Sequence, residues 1–289
     1  MPASGPANAL RVACVQFRSG RAVEENVERL VPLVREAAAA GARYVQTPEM
    51  SNVFEANGRA QYERARAEED DAMVAAMREV AADAGIFLHL GSIAVRVSDD
   101  PEGPRLANRS VLIAPDGKVA ATYDKIHLFD ADPQSGERYR ESRSYRGGTR
   151  LVTAAVGPAR LGLTICYDLR FSRLYDALAV AGANVLAVPA AFSATTGAKH
   201  WEALLRARAI ETGCFVVSAA QEGEHENGRR TYGHSMIVSP DGAVLAERAE
   251  GEGVILADLD LGEVEAARLR LPVMANRAMD AVLAGAEAE

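Results

Sequence analysis

The chain has 289 residues, of which 48% are hydrophobic and 25% are charged, and its formal net charge is −8. These proportions are typical of a globular protein with a sizeable core, and the acidic balance argues against nucleic acid as a partner. No apolar run approaches the roughly 20 residues that cross a bilayer, so no membrane contact is expected. Residues 1–9 are small and polar, without the features of a signal peptide, and we interpret them as a disordered tail.

The cysteines and histidines give no sign of a metal site. Cys14, Cys166 and Cys214 are far apart and odd in number, which favours a reducing, cytoplasmic environment. No HExxH or comparable pair of histidines occurs, so a zinc site is not expected. No GxGxxG follows a strand, so the sequence predicts no dinucleotide-binding site.

In chain order, the first half alternates strands and helices. The patterns predict a strand at 10–17, a helix at 23–40, a strand at 43–47, a helix at 59–84, a strand at 86–97 and a hairpin at 106–126 that turns at Pro115-Asp116-Gly117. Glycines at 41 and 85 follow the two helices, as C-terminal caps do. The acidic residues 68–71 within the second helix are interpreted as a solvated face.

The second half repeats this order. It has a strand at 160–165, a helix at 172–181, a strand at 184–188, a helix at 198–212, a strand at 214–220 and a hairpin at 235–248 that turns at Pro240-Asp241-Gly242. Two local matches support the repeat. Ala-Gly-Ala with a later proline occurs at 40–48 and 181–189, and Ser-x-x-x-x-Pro-Asp-Gly occurs at 110–117 and 235–242. A strand at 254–259 and an amphipathic segment at 263–271 follow.

Alternating strands and helices predict parallel sheets that are covered by helices. Two similar layers of sheet and helix would each leave one apolar sheet face bare, and would bury those faces against each other. We therefore predict an α/β fold, a four-layer α-β-β-α sandwich with two pseudo-repeated halves. It forms one domain at 10–277, with a C-terminal tail at 278–289. A doubly wound three-layer sheet is the alternative.

Three chemically active side chains are predicted at the carboxyl ends of strands, where reacting groups collect in α/β proteins. Cys166 ends the first strand of the second half and precedes a helix, while Glu49 and Lys125 follow strands of the first half. Their counterparts in the repeat are Ala190 and Glu250, so the shared scaffold requires neither Glu49 nor Lys125. Each alone could still be a surface charge, and Cys166 a buried structural thiol.

Together these side chains suit nucleophilic acyl transfer. A helix N-terminus and a nearby ammonium group would favour a thiolate at Cys166. A desolvated Glu49 could have a pKa near neutrality and act as a base, and Lys125 could stabilise an oxyanion. The set predicts a thioester intermediate, with ammonia or an amine as the leaving group.

Three motifs, in this order, make the chain resemble the nitrilase superfamily of carbon–nitrogen hydrolases over almost its whole length. They are TPEM at 47–50, YDKIHLF at 123–129 and ICYDLRF at 165–171. The resemblance implies the αββα sandwich and a triad in which Glu49 is the general base and acid, Lys125 the oxyanion stabiliser and Cys166 the nucleophile. It also implies that the backbone N–H of Tyr167 is a second oxyanion donor and that Glu141 orients Lys125 and the substrate. Members of the superfamily pair their sandwiches into dimers, so a homodimer or higher homo-oligomer is expected.

Within the superfamily, the chain looks most like the deaminated glutathione amidases, with the omega-amidases, which act on α-ketoglutaramate, as close relatives. HWEALLRARAIET at 200–212 and YGHSM at 232–236 carry this likeness. By motif position, Arg170, Phe192 and Thr196 look like substrate-binding residues, and the Arg170 guanidinium suits a substrate carboxylate. The implied activity is a cofactor-independent amidase for a small carboxylate-bearing amide.

Four further positions complete the comparison with that branch. His127, Trp201 and His234 match its motifs and are assigned to packing and supporting hydrogen bonds. Thr47 departs from the superfamily, which commonly has an apolar residue there. The polar loop at 221–232 is expected to border the pocket and to set specificity.

Other functions stay open at this point. The same chemistry could act on α-ketoglutaramate or on an N-carbamoyl compound. A catalytically silent relative could bind a metabolite or a protein partner. A Cys–His enzyme would require His234 to face Cys166.

Overall fold

A computed structural model describes residues 8–55, 57–97, 100–101, 103–132 and 138–278. The strands are β1 Ala9–Gln16, β2 Tyr44–Gln46, β3 Phe87–Val97, β4 Arg105–Ile113, β5 Val119–Asp124, β6 Asp130–Ala131, β7 Tyr139–Arg140, β8 Thr153–Val156, β9 Ala159–Leu163, β10 Val185–Ala187, β11 Phe215–Ser218, β12 Glu222–Glu224, β13 Arg230–Tyr232, β14 Ser235–Val238, β15 Val244–Arg248 and β16 Gly253–Asp260. The α-helices are α1 Val23–Ala39, α2 Gly58–Arg64, α3 Ala72–Ala84, α4 Ser172–Val180, α5 Ala194–Thr212 and α6 Gly262–Arg270. Short 3-10 helices span Glu68–Asp70, Glu141–Arg143 and Cys166–Arg170.

Twelve of these strands form two six-stranded sheets with the same internal order. In the first sheet β1, β2 and β3 are parallel, and β4 and β5 continue it antiparallel. In the second sheet β9, β10 and β11 are parallel, and β14 and β15 continue it antiparallel. One further antiparallel strand lies beside each first strand, β16 beside β1 and β8 beside β9. The predicted repeat of two halves is confirmed.

The sheets face each other, and the helices cover their outer sides. Helices α1 and α3 pack on the first sheet, α4 and α5 pack on the second, and the sheets meet through β1, β11, β14 and β16. Side chains along β1 alternate between the two layers. Leu10, Val12 and Cys14 join the core of the second sheet, whereas Ala13 and Val15 pack with the helices of the first. The four-layer α-β-β-α sandwich is therefore confirmed, and Cys14 is a core residue.

The predicted helix at 59–84 is wrong, because two helices and a 3-10 turn occupy this stretch. The side chain of Asp71 accepts hydrogen bonds from the N–H groups of Met73 and Val74 and thereby caps α3. Asp71 is buried, and Glu68 pairs with Arg109 at 3.1 Å. The acidic run is thus a capped junction rather than a solvated helix face, since an Asp that bonds to nearby backbone favours a helix start over a helix interior.

The ends of the chain fall mostly outside the described residues. Residues 1–7 and 279–289 are among those not described, so the two predicted tails are left as predictions there. Strand β1 already begins at Ala9, one residue inside the predicted N-terminal tail. None of the described helices is long and apolar enough to cross a membrane.

Candidate active site

An ionic cluster joins the two halves of the chain where β2, β5 and β9 end. The ammonium of Lys125 lies 2.9 Å from Glu49 Oε1 and 2.9 Å from Glu141 Oε2. The Cys166 thiol lies close enough to the Glu49 carboxylate for each group to shift the pKa of the other. The side chain of Lys125 is 2% exposed and that of Glu49 is 6% exposed, so water has little access to these charges.

The Glu49 carboxylate is held by donors from both halves. The N–H of Ala191 donates to Glu49 Oε2 at 2.7 Å, and Asn108 Nδ2 donates to Oε1 at 2.9 Å. Gln221 Nε2 also donates to the Glu49 backbone carbonyl at 3.0 Å. Such donors favour the ionised carboxylate and fix the direction in which it points.

Thr47, the position that departs from the superfamily, is buried with its hydroxyl satisfied. Its Oγ1 lies 2.9 Å from Ser51 Oγ and accepts a hydrogen bond from the N–H of Gly91 at 3.2 Å. A paired hydroxyl costs little on burial, which explains how a polar residue is accommodated before Glu49.

Cys166 is the first residue of the 3-10 helix that follows β9. Its φ is +47°, an uncommon conformation for a residue other than glycine and one that clusters at functional sites. Its N–H donates to Pro189 O at 2.9 Å. The first hydrogen bond of this 3-10 helix runs from Asp168 N–H to Ile165 O. The N–H of Tyr167 comes before it and is therefore one of the N–H groups at the start of a helix that have no partner within the helix.

Glu141 and Glu49 are connected by a residue that sequence reasoning missed. Asn108 Nδ2 donates to Glu141 Oε1 at 3.0 Å as well as to Glu49. The N–H of Phe129 donates to Glu141 Oε2 at 2.6 Å. The repeat aligns Ser110 with Ser235 and hence Asn108 with Gly233, so the comparison that singled out Glu49 would have found Asn108 too.

The pKa shifts correct one expectation. Burial raises the pKa of Glu49, but the Lys125 charge and hydrogen bonds from Cys166, Lys125 and Asn108 hold it below its ordinary value. Burial lowers the pKa of Lys125, yet Glu141 and Glu49 raise it well above its ordinary value. Burial and the Glu49 charge raise the pKa of the Cys166 thiol more than Lys125 lowers it. The expected thiolate and near-neutral Glu are therefore wrong: at neutral pH the cluster holds an ionised Glu49, a charged Lys125 and a protonated Cys166.

The cluster opens into a cavity of about 430 Å³. Although the whole chain is acidic, the charged residues that line this cavity are mostly basic. The basic ones are Lys125, Arg138, Arg140, Arg143, Arg229 and Arg230, and the acidic ones are Glu49, Glu55 and Glu141. A lining of this sign attracts anionic ligands.

The sequence profile of the family described as carbon-nitrogen hydrolase matches residues 11–269. The chain belongs to the carbon–nitrogen hydrolase family. A relative from Bos taurus, named deaminated glutathione amidase, is 40% identical over 272 residues, which are 93% of this chain and 82% of the relative. A relative of the same name from Yersinia enterocolitica is 36% identical over 264 residues, 91% of each chain.

Solved structures agree with the family and with the fold. The crystal structure of Saccharomyces cerevisiae Nit3, a member of branch 10 of the nitrilase superfamily, matches with a TM-score of 0.81 and 26% identity. The match covers 94% of this chain and 98% of Nit3. The resemblance to the nitrilase superfamily is thus confirmed, and this carbon–nitrogen hydrolase acts on amides.

Arg170, Phe192 and Thr196, which the motifs assign to substrate binding, and Tyr167, the expected oxyanion donor, are not among the described lining residues of the cavity of this carbon–nitrogen hydrolase. Arg170 lies over the Phe192 ring at 4.9 Å, and its Nη1 is 3.2 Å from His200 Nδ1. Phe192 is buried against Trp201, with ring centroids 5.0 Å apart. Thr196 is partly buried in the first turn of α5. Tyr167 contacts the ring of Phe129, a lining residue, so its side chain supports the wall.

The histidines serve supporting contacts. His234 Nδ1 lies 2.6 Å from Glu247 Oε1, and the His234 carbonyl accepts a hydrogen bond from Trp201 Nε1 at 2.8 Å. His127 Nδ1 lies 2.7 Å from Asp168 Oδ1. None of the described lining residues is a histidine, so the cavity wall offers no imidazole base to Cys166. Within the described chain, moreover, no group of three or more His, Cys, Asp and Glu residues could hold a metal ion.

Proposed function

We propose that the protein is a cofactor-independent amidase that cleaves a small carboxylate-bearing amide of the deaminated glutathione type through a thioester on Cys166. The observation that carries the proposal is that Cys166 lines the same cavity as the Glu49–Lys125 pair, whose charged atoms lie 2.9 Å apart, and that the charged lining of this cavity is mostly cationic. The two relatives named deaminated glutathione amidase support the substrate class.

In the acylation step, Glu49 accepts the thiol proton while the Cys166 sulfur attacks the amide carbon. Because the thiol pKa is raised, the proton leaves during the attack rather than before it. The carbonyl oxygen becomes an oxyanion, which the Lys125 ammonium and the N–H of Tyr167 stabilise. Glu49 then gives the proton to the leaving nitrogen, the C–N bond breaks, and an amine departs from the acyl thioester.

In the deacylation step, Glu49 accepts a proton from a water molecule that attacks the thioester carbon. The same oxyanion donors stabilise the second tetrahedral species. The C–S bond breaks, and Glu49 returns the proton to the sulfur of Cys166. One water is consumed, and a carboxylic acid and an amine are released. Glu141 keeps Lys125 in place during both steps, because its carboxylate is the second one, after Glu49, that pairs with the Lys125 ammonium.

Turnover assays test this proposal and separate its substrates. Purified protein is mixed with deaminated glutathione or with α-ketoglutaramate, and release of α-ketoglutarate is followed. We expect a higher kcat/KM for deaminated glutathione. A cavity of about 430 Å³ is in the range of pockets that take drug-sized ligands, so it has room for the peptide leaving group that α-ketoglutaramate lacks. Cys166→Ala should abolish both activities. Absence of turnover with these and with other simple amides, nitriles and N-carbamoyl compounds would overturn the proposal and favour a silent ligand-binding relative.

We also propose that the protein is a cytoplasmic homodimer. The superfamily resemblance supports the pairing of sandwiches, and the side chains of Val180, Ile210 and Leu271, which are 56%, 50% and 66% exposed, are apolar positions that such an interface would cover. All three cysteines are free thiols, which fits a reducing compartment.

A further inference from the structure

We propose that Arg229 binds a substrate carboxylate that is remote from the scissile amide, and thereby selects substrates with a charged leaving group. The inference rests on the proposed amidase function and extends it to a residue that determines specificity.

Arg229 is a partly buried cation in the cavity wall. Its guanidinium carbon lies 5.7 Å from the ring centroid of Phe54 and 5.0 Å from that of Tyr139. Two other charges of the lining are paired: Arg140 lies 2.7 Å from Asp132, and Glu55 lies 2.6 Å from Arg21. Among the described residues, no carboxylate pairs with Arg229.

A stacked guanidinium without a partner is well suited to bind an anion. The Arg229 guanidinium lies over two aromatic rings, and a guanidinium can bind both oxygens of a carboxylate at once. Burying part of a cation without a partner costs free energy, and a bound carboxylate would offset this cost.

Arg229 lies in the hairpin formed by β12 and β13, and this hairpin is held in place before any ligand binds. His225 N–H donates to Arg229 O at 2.8 Å, and Arg229 N–H donates to Asn227 Oδ1 at 2.9 Å. Asn227 Nδ2 in turn donates to Phe54 O at 3.0 Å. His225 Nδ1 lies 3.1 Å from Ser19 O, and its Nε2 lies 2.8 Å from Thr231 Oγ1. Because these hydrogen bonds already order the hairpin, less conformational entropy is lost when a ligand binds.

The aromatic wall shows which end of a substrate Arg229 would reach. Tyr167, Phe129 and Tyr139 form a row with centroid separations of 4.9 and 4.8 Å. Tyr167 is adjacent to Cys166 in the chain, whereas Arg229 contacts the Tyr139 end of the row. Arg229 therefore faces the part of a substrate that is distant from the attacked carbonyl. Deaminated glutathione has two carboxylates remote from the attacked carbonyl, the α-keto carboxylate of the acyl half and the terminal glycine carboxylate of the leaving group, and the inference assigns Arg229 to the glycine carboxylate. In α-ketoglutaramate the leaving group is ammonia.

Binding measurements in a Cys166→Ala background test the inference without turnover. Calorimetry gives the affinities of deaminated glutathione and of its analogue with a terminal carboxamide. We expect the carboxylate to bind roughly 10- to 100-fold more tightly than the carboxamide, as a charged hydrogen-bonded pair should. Arg229→Gln should remove this preference and change the carboxamide affinity less than about twofold. Arg229→Lys keeps the positive charge but lacks the planar guanidinium that binds both carboxylate oxygens, so it should retain part of the preference.

Arg43→Gln is the control, because Arg43 is an exposed arginine that is not among the described lining residues of the cavity. Exposed charges are screened by salt, so the preference should persist in this variant. Equal loss of both ligands in Arg229→Gln would show that Arg229 only supports the Phe54 and Tyr139 wall, and an unchanged preference would show no role; either result overturns the inference.

Turnover by the enzyme with Cys166 intact separates the two proposals. If deaminated glutathione is hydrolysed while Arg229→Gln keeps the preference, only the role of Arg229 fails. If nothing is hydrolysed while the preference depends on Arg229, only the amidase proposal fails. If neither ligand binds, both fail.

Discussion

At the site, the ammonium of Lys125 is held between the carboxylates of Glu49 and Glu141, almost out of contact with water. Taking such charges out of water costs several kcal/mol per ion, and only close pairing with further hydrogen bonds offsets that cost. Lys125 reaches both Glu49 and Glu141, and Asn108 donates to the same two carboxylates. Asn108 is therefore a positioning residue that keeps Glu49 ionised and aimed at Cys166.

We expect Asn108→Ala to lower kcat/KM about 10- to 100-fold, the effect of losing a hydrogen bond to a charged group. The hydrogen bond from Asn108 is one of the causes that lower the pKa of Glu49. Its removal should raise that pKa, so that protonation disables the base at a higher pH. The acidic limb of the pH profile of kcat/KM should move upward, and steady-state kinetics over about pH 4 to 9 would record it.

Asn52→Ala is the matched control for that variant. Asn52 is also a buried amide, which donates to Asp71 Oδ2 at 2.8 Å and to Ala94 O at 3.1 Å. Its loss should lower stability but leave the acidic limb in place. An acidic limb that stays unchanged in Asn108→Ala would contradict the role assigned to Asn108.

The sequence could reveal Glu49, Lys125 and Cys166 because they follow strands and lack counterparts in the repeat. It could not reveal Arg229 as more than part of a polar loop expected to border the pocket. The partners of Arg229, Phe54 and Tyr139, come from distant segments and meet only in the folded chain. The protonated thiol was also beyond sequence reasoning, because the pKa depends on how completely Cys166 and Glu49 are buried.

Among the elements, the repeated turns were the most predictable feature. Gly117 and Gly242 have φ of +76° and +86° and close the two hairpins at the expected Pro-Asp-Gly tripeptides. Gly41 and Gly182, which follow α1 and α4, have φ of +90° and +91°. Glycine adopts such angles without strain, so its positions in the sequence predict where the chain turns.

Element boundaries were less predictable where polar side chains bond to the backbone. The junction between α2 and α3 depends on Asp71, whose bonds to two N–H groups start a new helix. Helix α5 begins at Ala194, four residues before the predicted start at Ala198. Its first turn includes Gly197, where an added Cβ would lie 2.4 Å from the Cβ of Tyr232. Only a glycine leaves room for Tyr232 here, and because glycine is a poor helix former, helix propensity alone does not predict this turn.

On the scale of the whole molecule, packing one sheet on the other is what assembles the site. Glu49 and Lys125 come from the first half and Cys166 from the second, so neither half contains the site alone. Gly91 lies at the junction, where an added Cβ would be 2.0 Å from Thr47 O and 2.4 Å from Pro189 Cβ. Gly91 of β3 thus lies between Pro48, which precedes Glu49, and Pro189, which precedes Ala190.

Two buried imidazoles make the stability of the whole fold depend on pH. Burial lowers the pKa of His89 to about 3 and that of His225 to about 4, whereas an imidazole in an unfolded chain has a pKa of about 6.5. Between these values the unfolded chain binds protons that the folded chain does not. The free energy of unfolding therefore rises with pH, and this contribution is complete above about pH 6.5 and is lost as the pH falls toward 4.

We expect His225→Gln to remove about half of this dependence. Each imidazole contributes a slope of at most about 1.4 kcal/mol per pH unit, so the slope due to the pair should fall from about 2.7 to about 1.4 between pH 4.5 and 6. Urea unfolding at a series of pH values measures it. His200→Gln, at an exposed position on α5, should leave the slope unchanged. An equal slope in wild type and His225→Gln would contradict the assignment.

The most direct test of the account is mass spectrometry of the enzyme, acid-quenched while it hydrolyses deaminated glutathione. The account predicts an increase equal to the mass of the acyl half of the substrate, placed on Cys166 by peptide mapping and absent from Cys166→Ala. An acyl group on another residue, or sustained turnover by Cys166→Ala, would contradict it.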